Sequence, residues 1–385
     1  MTTRWPSSGL GAVSNVQRFY YVEARFTVAR LNIRHYSSRP SDDNNNNKLT
    51  SSPTTVEKPE KAALLAVTNP RHGLIDAINP PRSTVPPVLK LPTRGPENIA
   101  LHLYRTGKAY GGFYFTGVKS VWFNRKASQV IRARLGKDGN GGQDEPSMVV
   151  QSLSRSEFQI LARNKHDIGK LPLFSVLVAL LGEWLPLFVP FMPGVVPGTC
   201  RIPKQITGMR EKAEQRRRTS FRTGTTEPRQ ADLVEASVKS ESSVKKGDAW
   251  PICSQPHATA LLGKLEWPQL FHLSNTLNVH SRLWDRLAIP PPTSLLRRGV
   301  GKRLAYICTD DVLLLKHGDV TKLLPEEVLI ACEERGIDVN GRRGEVLRED
   351  LKRWLQAQRR EQGLAIFRML FRRPNAWDTP TPSSR

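Results

Sequence analysis

The feature that most constrains this chain is the stretch Leu171–Cys200, LPLFSVLVALLGEWLPLFVPFMPGVVPGTC, bounded by Lys170 and Arg201. Its only ionisable side chain of consequence is Glu183. A soluble core helix is rarely apolar on every side for so long, and a hydrocarbon layer of roughly 30 Å takes about 20 residues as helix. The stretch is therefore predicted to be a single membrane span. Its prolines restrict the geometry, because an interior proline removes one helical hydrogen bond and clashes with the carbonyl four residues back. A straight helix is predicted from about Phe174 to Leu185, kinked or broken beyond that by Pro186, Pro190, Pro193 and Pro197. Carbonyls freed at membrane depth need partners, as in a broken helix that lines a cavity or packs against a second copy.

Glu183 carries two readings. An intramembrane carboxylate costs roughly 2.5–3.5 kcal/mol on insertion scales, and this makes Glu183 the candidate for proton or cation handling. Alternatively it sits near an interface beside Trp184, or stays protonated and donates a hydrogen bond to a neighbouring helix. One carboxylate in one span forms no pore, so transport would require a homo-oligomer or a partner.

Charge and composition frame the rest. With 58 Lys and Arg against 35 Asp and Glu, the net charge is +23, which points to polyanionic partners, either nucleic acid or an anionic membrane. Only 38% of residues are hydrophobic, and 29 prolines and 27 glycines punctuate the chain, so one compact enzyme filling its whole length is disfavoured. Cys200, Cys253, Cys308 and Cys332 lie far apart with no C-x-x-C pair. They are read as buried thiols of a reducing compartment, not as a zinc ribbon or a disulfide framework. His166, His257, His272, His280 and His317 do not fall at metal-ligand spacing, and G-x-S-x-G, P-loop and H-E-x-x-H motifs are missing. No catalytic residue, metal or cofactor is assigned, and the chain is read as a non-enzyme.

The first residues read as an address. No acid occurs from Met1 to Val22, while Arg4, Arg18, Arg25, Arg30 and Arg34 are spread among Ser, Thr, Val and aromatics, the composition of a mitochondrial transit peptide over residues 1–36. The alternative is a disordered basic N-terminus. Residues 37–96, rich in Asn, Ser and Pro, are predicted to be a disordered linker, with Ala62–Val67 too short to assign.

Residues 97–170 are predicted to be helical. Ser154-x-x-Glu157 is a capping box opening a helix from Ser154 to Lys170. Leu101–Leu135 mixes Tyr104, Phe115 and Trp122 with Arg105, Lys108 and Lys119. This suits an amphipathic helix at a lipid surface or an ordinary core helix pair, interrupted at Gly111-Gly112. Gly136–Glu145 lacks the ligand order of a calcium loop and reads as a turn.

After the span, residues 201–250 are predicted to be a basic, largely flexible linker. Its cations include Arg216, Arg217 and Arg218, which suit lipid head groups or ribosomal RNA phosphates, or are simply solvated. By the positive-inside bias this flank faces the matrix. Residues 251–360 regain helical periodicity, with short runs at Ala258–Leu265, Pro268–Leu277 and Val279–Leu287, a longer one at Ser294–Cys308, and a final pair. That pair has Pro325 at the first start, Gly336 at its stop, and Leu347, Leu351, Trp354 and Leu355 on the second helix. Residues 361–385 are read as a tail.

At this point the order of elements resembles the LETM proteins (leucine zipper, EF-hand, transmembrane) of the mitochondrial inner membrane, in their ribosome-binding-domain form. Leu153-Ser154-Arg155, Leu171-Pro172-Leu173-Phe174, Glu183 with Pro186, Val196-Pro197-Gly198-Thr199, Leu295–Asp310, Leu323–Gly336 and Leu347–Leu355 carry the resemblance, over roughly Leu101–Gln356. It implies an all-α, single-pass inner-membrane protein whose C-terminal domain lies in the matrix, docks on mitochondrial ribosomes through rRNA and protein, and contributes to potassium or other cation/proton homeostasis. No EF-hand and no sustained heptads are present, so calcium sensing and zipper association do not carry over.

The last helix pair also looks like the SAP module, a small helical nucleic-acid binder. The ribosome, RNA or lipid candidates are Arg216, Arg217, Arg218, Arg297, Arg298, Lys302, Arg303, Arg342, Arg343, Lys352 and Arg353. Two alternatives accompany this reading: a cation/proton exchanger subunit acting through Glu183, and a soluble RNA-binding protein.

Overall fold

The computed structural model describes residues 74–93, 98–138, 146–181, 192, 194–229, 231–235, 250–317 and 320–377, all within one compact unit. Among them the regular structure is entirely helical. In chain order the principal helices are α1 (Leu74–Ile78), α2 (Ile99–Asp138), α3 (Pro146–Ser152), α4 (Arg155–Leu181), α5 (Pro203–Arg222), α6 (Gln255–Leu261), α7 (Trp267–Thr276), α8 (Arg282–Arg286), α9 (Thr293–His317), α10 (Pro325–Glu334), α11 (Gly344–Arg360) and α12 (Ala365–Phe371).

α2 and α4 form an antiparallel pair. At one end Arg134 meets Glu157 at 2.7 Å; further along, Ala127 and Ile131 pack with Leu153 and Ile160. At the other end Phe113 and Tyr114 pack with Phe174, Leu177 and Leu181. α2 runs unbroken for 40 residues through Gly111-Gly112, so the interruption expected there is missing. Helix propensity lost at two glycines, about 1 kcal/mol each, is outweighed by the packed length on either side. α4 starts on the capping box: the Glu157 amide donates to Ser154 Oγ at 3.2 Å, and the Ser154 amide donates to the Glu157 carboxylate at 3.0 Å. It then passes through Pro172 to Leu181.

The principal core lies around α9, which runs the length of the C-terminal domain and touches α6, α7 and α11. Leu296, Val300, Leu304, Ile307 and Cys308 of α9 pack with Ala258, Leu261 and Leu262, with Leu270 and Leu273, and with Leu351 and Trp354. Gly299 and Gly301 permit this closeness, since a Cβ at Gly301 would lie 2.6 Å from Thr259 Oγ1 and one at Gly299 would lie 2.7 Å from Val279 Cγ1. α10 ends at Gly336, whose φ of +76° is the left-handed conformation that glycine adopts without strain.

Beyond the unbroken α2, the structure departs from the sequence expectations in four places. Residues 74–93 are not a disordered linker. Ser83 Oγ donates to Asn124 Oδ1 at 2.7 Å, while Asn79 donates to the Lys322 carbonyl and accepts from the Leu324 amide, so the segment bridges α2 and the C-terminal domain. Residues 203–222 are the helix α5, not a flexible linker. Beyond residue 360 the chain is not a tail as far as Trp377: Ile366, Phe367, Met369 and Leu370 are buried, and Trp377 packs edge-on against Trp354. Cys253 and Cys308 are joined as a disulfide, leaving Cys200 and Cys332 as buried thiols. Among the described residues no helix is long and apolar enough to cross a membrane, and residues 182–191 and 193 of the predicted span lie outside them.

Other expectations fall outside the described residues: the transit peptide, Ala62–Val67, most of the Gly136–Glu145 turn, Glu183 with Trp184 and Pro186, and residues 378–385.

The C-terminal extension yields a direct test. Phe367 is 1% exposed, so Phe367→Ala should lower the urea-unfolding free energy of the full chain in detergent by about 3–5 kcal/mol. An unchanged midpoint would mean that α12 is not part of the core.

Candidate functional site

Two constellations organise the molecule around the apolar stretch. The first is a buried ion network where α4 meets the C-terminal domain. Arg155, fully buried, donates through Nε to Asp310 Oδ1 at 2.9 Å and through Nη1 to the Ile78 carbonyl at 2.9 Å. Gln159, one turn on, donates to the same Asp310 oxygen at 2.8 Å. Arg163, another turn on, grips Glu327 of α10 with both terminal nitrogens, at 2.8 and 2.9 Å. The i, i+4, i+8 spacing places all three side chains on one face of α4.

From the other side, Arg335 donates to Asp310 at 2.8 Å and to Asp311 at 2.9 and 2.5 Å, and Trp354 Nε1 donates to Asp311 at 2.9 Å. Three guanidinium groups thus face three carboxylates. Burial works against the Asp310 carboxylate, but Arg155 and Arg335 outweigh it and hold its pKa well below the usual range. Burial pushes Asp311 up to about 6, against the pull of Arg335 and Trp354. Removing one partner of such a pair strands a buried charge, at a cost of about 3–5 kcal/mol.

The second constellation is the base of the apolar stretch. Asp167, 4% exposed, accepts from the Gly198 amide at 2.7 Å and the Thr199 amide at 3.4 Å. The Thr199 hydroxyl donates to the Gly117 carbonyl of α2 at 3.2 Å. Lys170 is lowered to about 8, first by burial and then by the neighbouring Arg201 charge. Outward from this base, Leu173, Val176 and Leu180 of α4 are exposed. On α2, Tyr104, Phe115 and Trp122 are exposed, as are Arg105, Lys108 and Lys126. α2 carries no acid before Asp138.

The cations selected from sequence separate into two groups. Arg216 pairs with Asp285 at 2.6 Å and donates to the His280 carbonyl. Arg217, buried, donates to the Thr276 and Glu333 carbonyls. Arg218 is 60% exposed but pairs with Glu214 and Asp338. Arg303 faces Glu334 at 3.7 Å, and Arg342 and Arg353 both pair with the buried Asp350. These six are engaged in holding the fold, and for Arg216, Arg217, Arg303, Arg342 and Arg353, which are half-buried or buried, the expectation of a free phosphate-binding side chain is corrected. Arg298 and Lys302 of α9 and Arg343 before α11 are exposed and make no ion pair among the described residues. Arg297 and Lys352 are half-buried.

Sequence reasoning missed Asp167, Arg155 and Asp310. Their one visible signal was polarity at positions where the helix period calls for apolar residues.

This arrangement of α4, the apolar stretch and the C-terminal helices falls in a known family. The family model described as "LETM1-like, RBD" matches residues 153–372, more than half of the chain. The chain belongs to the LETM1-like family. It is similar to the LETM1 domain-containing protein mdm28, mitochondrial, of Schizosaccharomyces pombe, at 26% identity over 224 residues, covering 54% of this chain and 46% of that protein. It is also similar to the mitochondrial proton/calcium exchanger protein of Drosophila melanogaster, at 28% identity over 228 residues, covering 55% of this chain and 22% of that protein. The match thus spans less than half the length of either relative. No solved structure matches the chain. The family match starts at Leu153, two residues before Arg155, so α4 and its side of the buried network belong to the family unit.

Asp311 supplies a pH test. Its folded pKa lies above its unfolded value of about 4, so its contribution favours the fold fully below about pH 4 and is lost as pH rises through about 6. Urea unfolding of the wild type against Asp311→Asn should therefore show the wild type losing relative stability between pH 4 and 6.5. A constant difference across that window would mean that Asp311 titrates as an ordinary carboxylate.

Proposed function

We propose that the protein is a mitochondrial inner-membrane factor that docks ribosomes on the matrix side through its C-terminal helical domain and contributes to potassium/proton homeostasis. The observation that carries the reading is the separation of the basic residues. Most of the selected arginines are engaged internally, while Arg298 and Lys302, four residues apart on α9, present one exposed cationic face. Cations kept out of internal pairs are available to neutralise phosphates, and each such contact steepens the salt dependence of binding. The mitochondrial relatives support the compartment. Anionic inner-membrane lipids suit the basic-aromatic face of α2, and the apolar stretch supplies the membrane attachment.

Charge reversal tests the docking face. Arg298→Glu with Lys302→Glu should weaken co-sedimentation of the full chain with mitochondrial ribosomes and reduce the log–log salt slope by about one to two units, with the unfolding midpoint unchanged. Undiminished binding at every salt concentration would remove this face from the account.

A second reading, an exchanger subunit working through Glu183, is favoured by the exchanger among the relatives. In reconstituted vesicles Glu183→Gln should abolish cation/proton exchange, whereas full exchange by that variant would eliminate the role.

A further inference from the structure

The segment that joins α7 to α9 is held firmly on one side and bare on the other. Ser281 caps α8 by accepting from the Leu283 amide at 3.3 Å, and Arg282 donates to the Met209 carbonyl of α5 at 3.2 Å. Asp285 pairs with Arg216 at 2.6 Å and lies 3.2 Å from His280 Nε2. The turn after α8 closes when the Ile289 amide donates to the Trp284 carbonyl at 3.1 Å. It passes through Ala288, whose φ of +53° is the left-handed conformation that disfavours a side chain.

Against this fixed frame the apolar side chains face water. Leu283 and Leu287, one turn apart, are 60% and 65% exposed, and Ile289 and Leu295 are exposed as well. Trp267, also exposed, donates through Nε1 to the Pro291 carbonyl at 3.4 Å, which sets its ring against the proline turn between α8 and α9. Large apolar side chains gathered on one short segment mark an interaction surface, and a segment ordered beforehand loses little entropy on docking.

Charge narrows the choice of partner. Residues 281–302 carry Arg282, Arg286, Arg297, Arg298 and Lys302 against a single acid, Asp285, which Arg216 and His280 already engage. Arg286 is exposed and makes no ion pair among the described residues. A second copy of the chain would bring the same cations and repel them. RNA supplies phosphates, but its bases stack on aromatic rings and its backbone offers no aliphatic surface to Leu283, Leu287 and Ile289. An apolar protein segment with acidic flanks meets both requirements. Leu295 shares one face of α9 with Arg298 and Lys302, at i, i+3 and i+7, so this surface continues into the cations assigned above to ribosome docking.

We propose that the docking face has two parts: Arg298 and Lys302 for phosphates and, beside them, α8 with its following turn for an apolar, acid-flanked protein segment of the ribosome. The inference rests on the reading that Arg298 and Lys302 dock ribosomes, and it adds the class of component met by α8.

The test is co-sedimentation of the full chain in detergent with mitochondrial ribosomes across a salt series, comparing the unmodified chain with the double variant Leu287→Ser, Ile289→Ser. Both positions are exposed, so the unfolding midpoint should stay unchanged. Apolar burial releases no counterions, so the pair should lower affinity about tenfold or more at every salt concentration and leave the log–log slope as it is. On deproteinised rRNA the two chains should bind alike. Undiminished ribosome binding by the variant overturns the proposal and leaves the docking reading standing, and an equal loss on deproteinised rRNA overturns the protein class of the partner. Failure of the unmodified chain to sediment with ribosomes overturns both. In proteoliposomes, quenching of a fluorophore on Leu287→Cys by nitroxide lipids would show a membrane on this surface and overturn the proposal as well.

Discussion

The structure depends on the charges of Arg155, Asp310 and Arg335, three side chains that are each at most 1% exposed. Taking an ion out of water costs several kcal/mol even after relaxation, and it is offset only when partners are present in good geometry. Asp310 meets this condition by accepting from Arg155, Gln159 and Arg335 together. The three donors come from α4, α4 and the end of α10, so none of these elements can be seated without the others. Apolar packing around α9 supplies the bulk of the stabilisation, but it is non-directional. The ion network fixes which face of α4 meets the domain.

That fastening has a consequence for function, because α4 is also the helix that leads into the apolar stretch. Arg155 and Arg163 are bound to the C-terminal domain, Asp167 closes the base of the stretch, and Phe174 begins the apolar cluster beyond it. Four structural roles succeed one another along about five turns of one helix. The domain and the base of the apolar stretch are thus joined through one continuous helix.

Much of the fold was legible where local rules decide it. The Ser154–Glu157 box marked the start of α4, and Pro325 and Gly336 bracketed α10. The features that were not legible are those set by distant partners. Asp310 and Arg155 are 155 positions apart, and nothing local to either says that its charge is consumed. α5 was read as a linker because its sequence, PKQITGMREKAEQRRRTSFR, offers little apolar stripe. Its docking is polar: Arg210 on Glu333, Arg217 on two carbonyls, and Glu214 held by Arg218 and Arg373. The same arginines looked like phosphate ligands for that reason. α12 is a different case, since Ile366, Phe367, Met369 and Leu370 have helical spacing that the short length concealed.

The central claim is that buried charge pairs lock α4 onto the C-terminal domain, and a double-mutant cycle between Arg155 and Asp310 tests it most directly. Unfolding of the full chain in detergent would be monitored for Arg155→Met, Asp310→Asn and the double variant. The account predicts a coupling energy of about 2–3 kcal/mol, with the double variant well short of the sum of the singles. Single effects that add to within about 0.5 kcal/mol would contradict it, and would make the network a by-product of packing around α9.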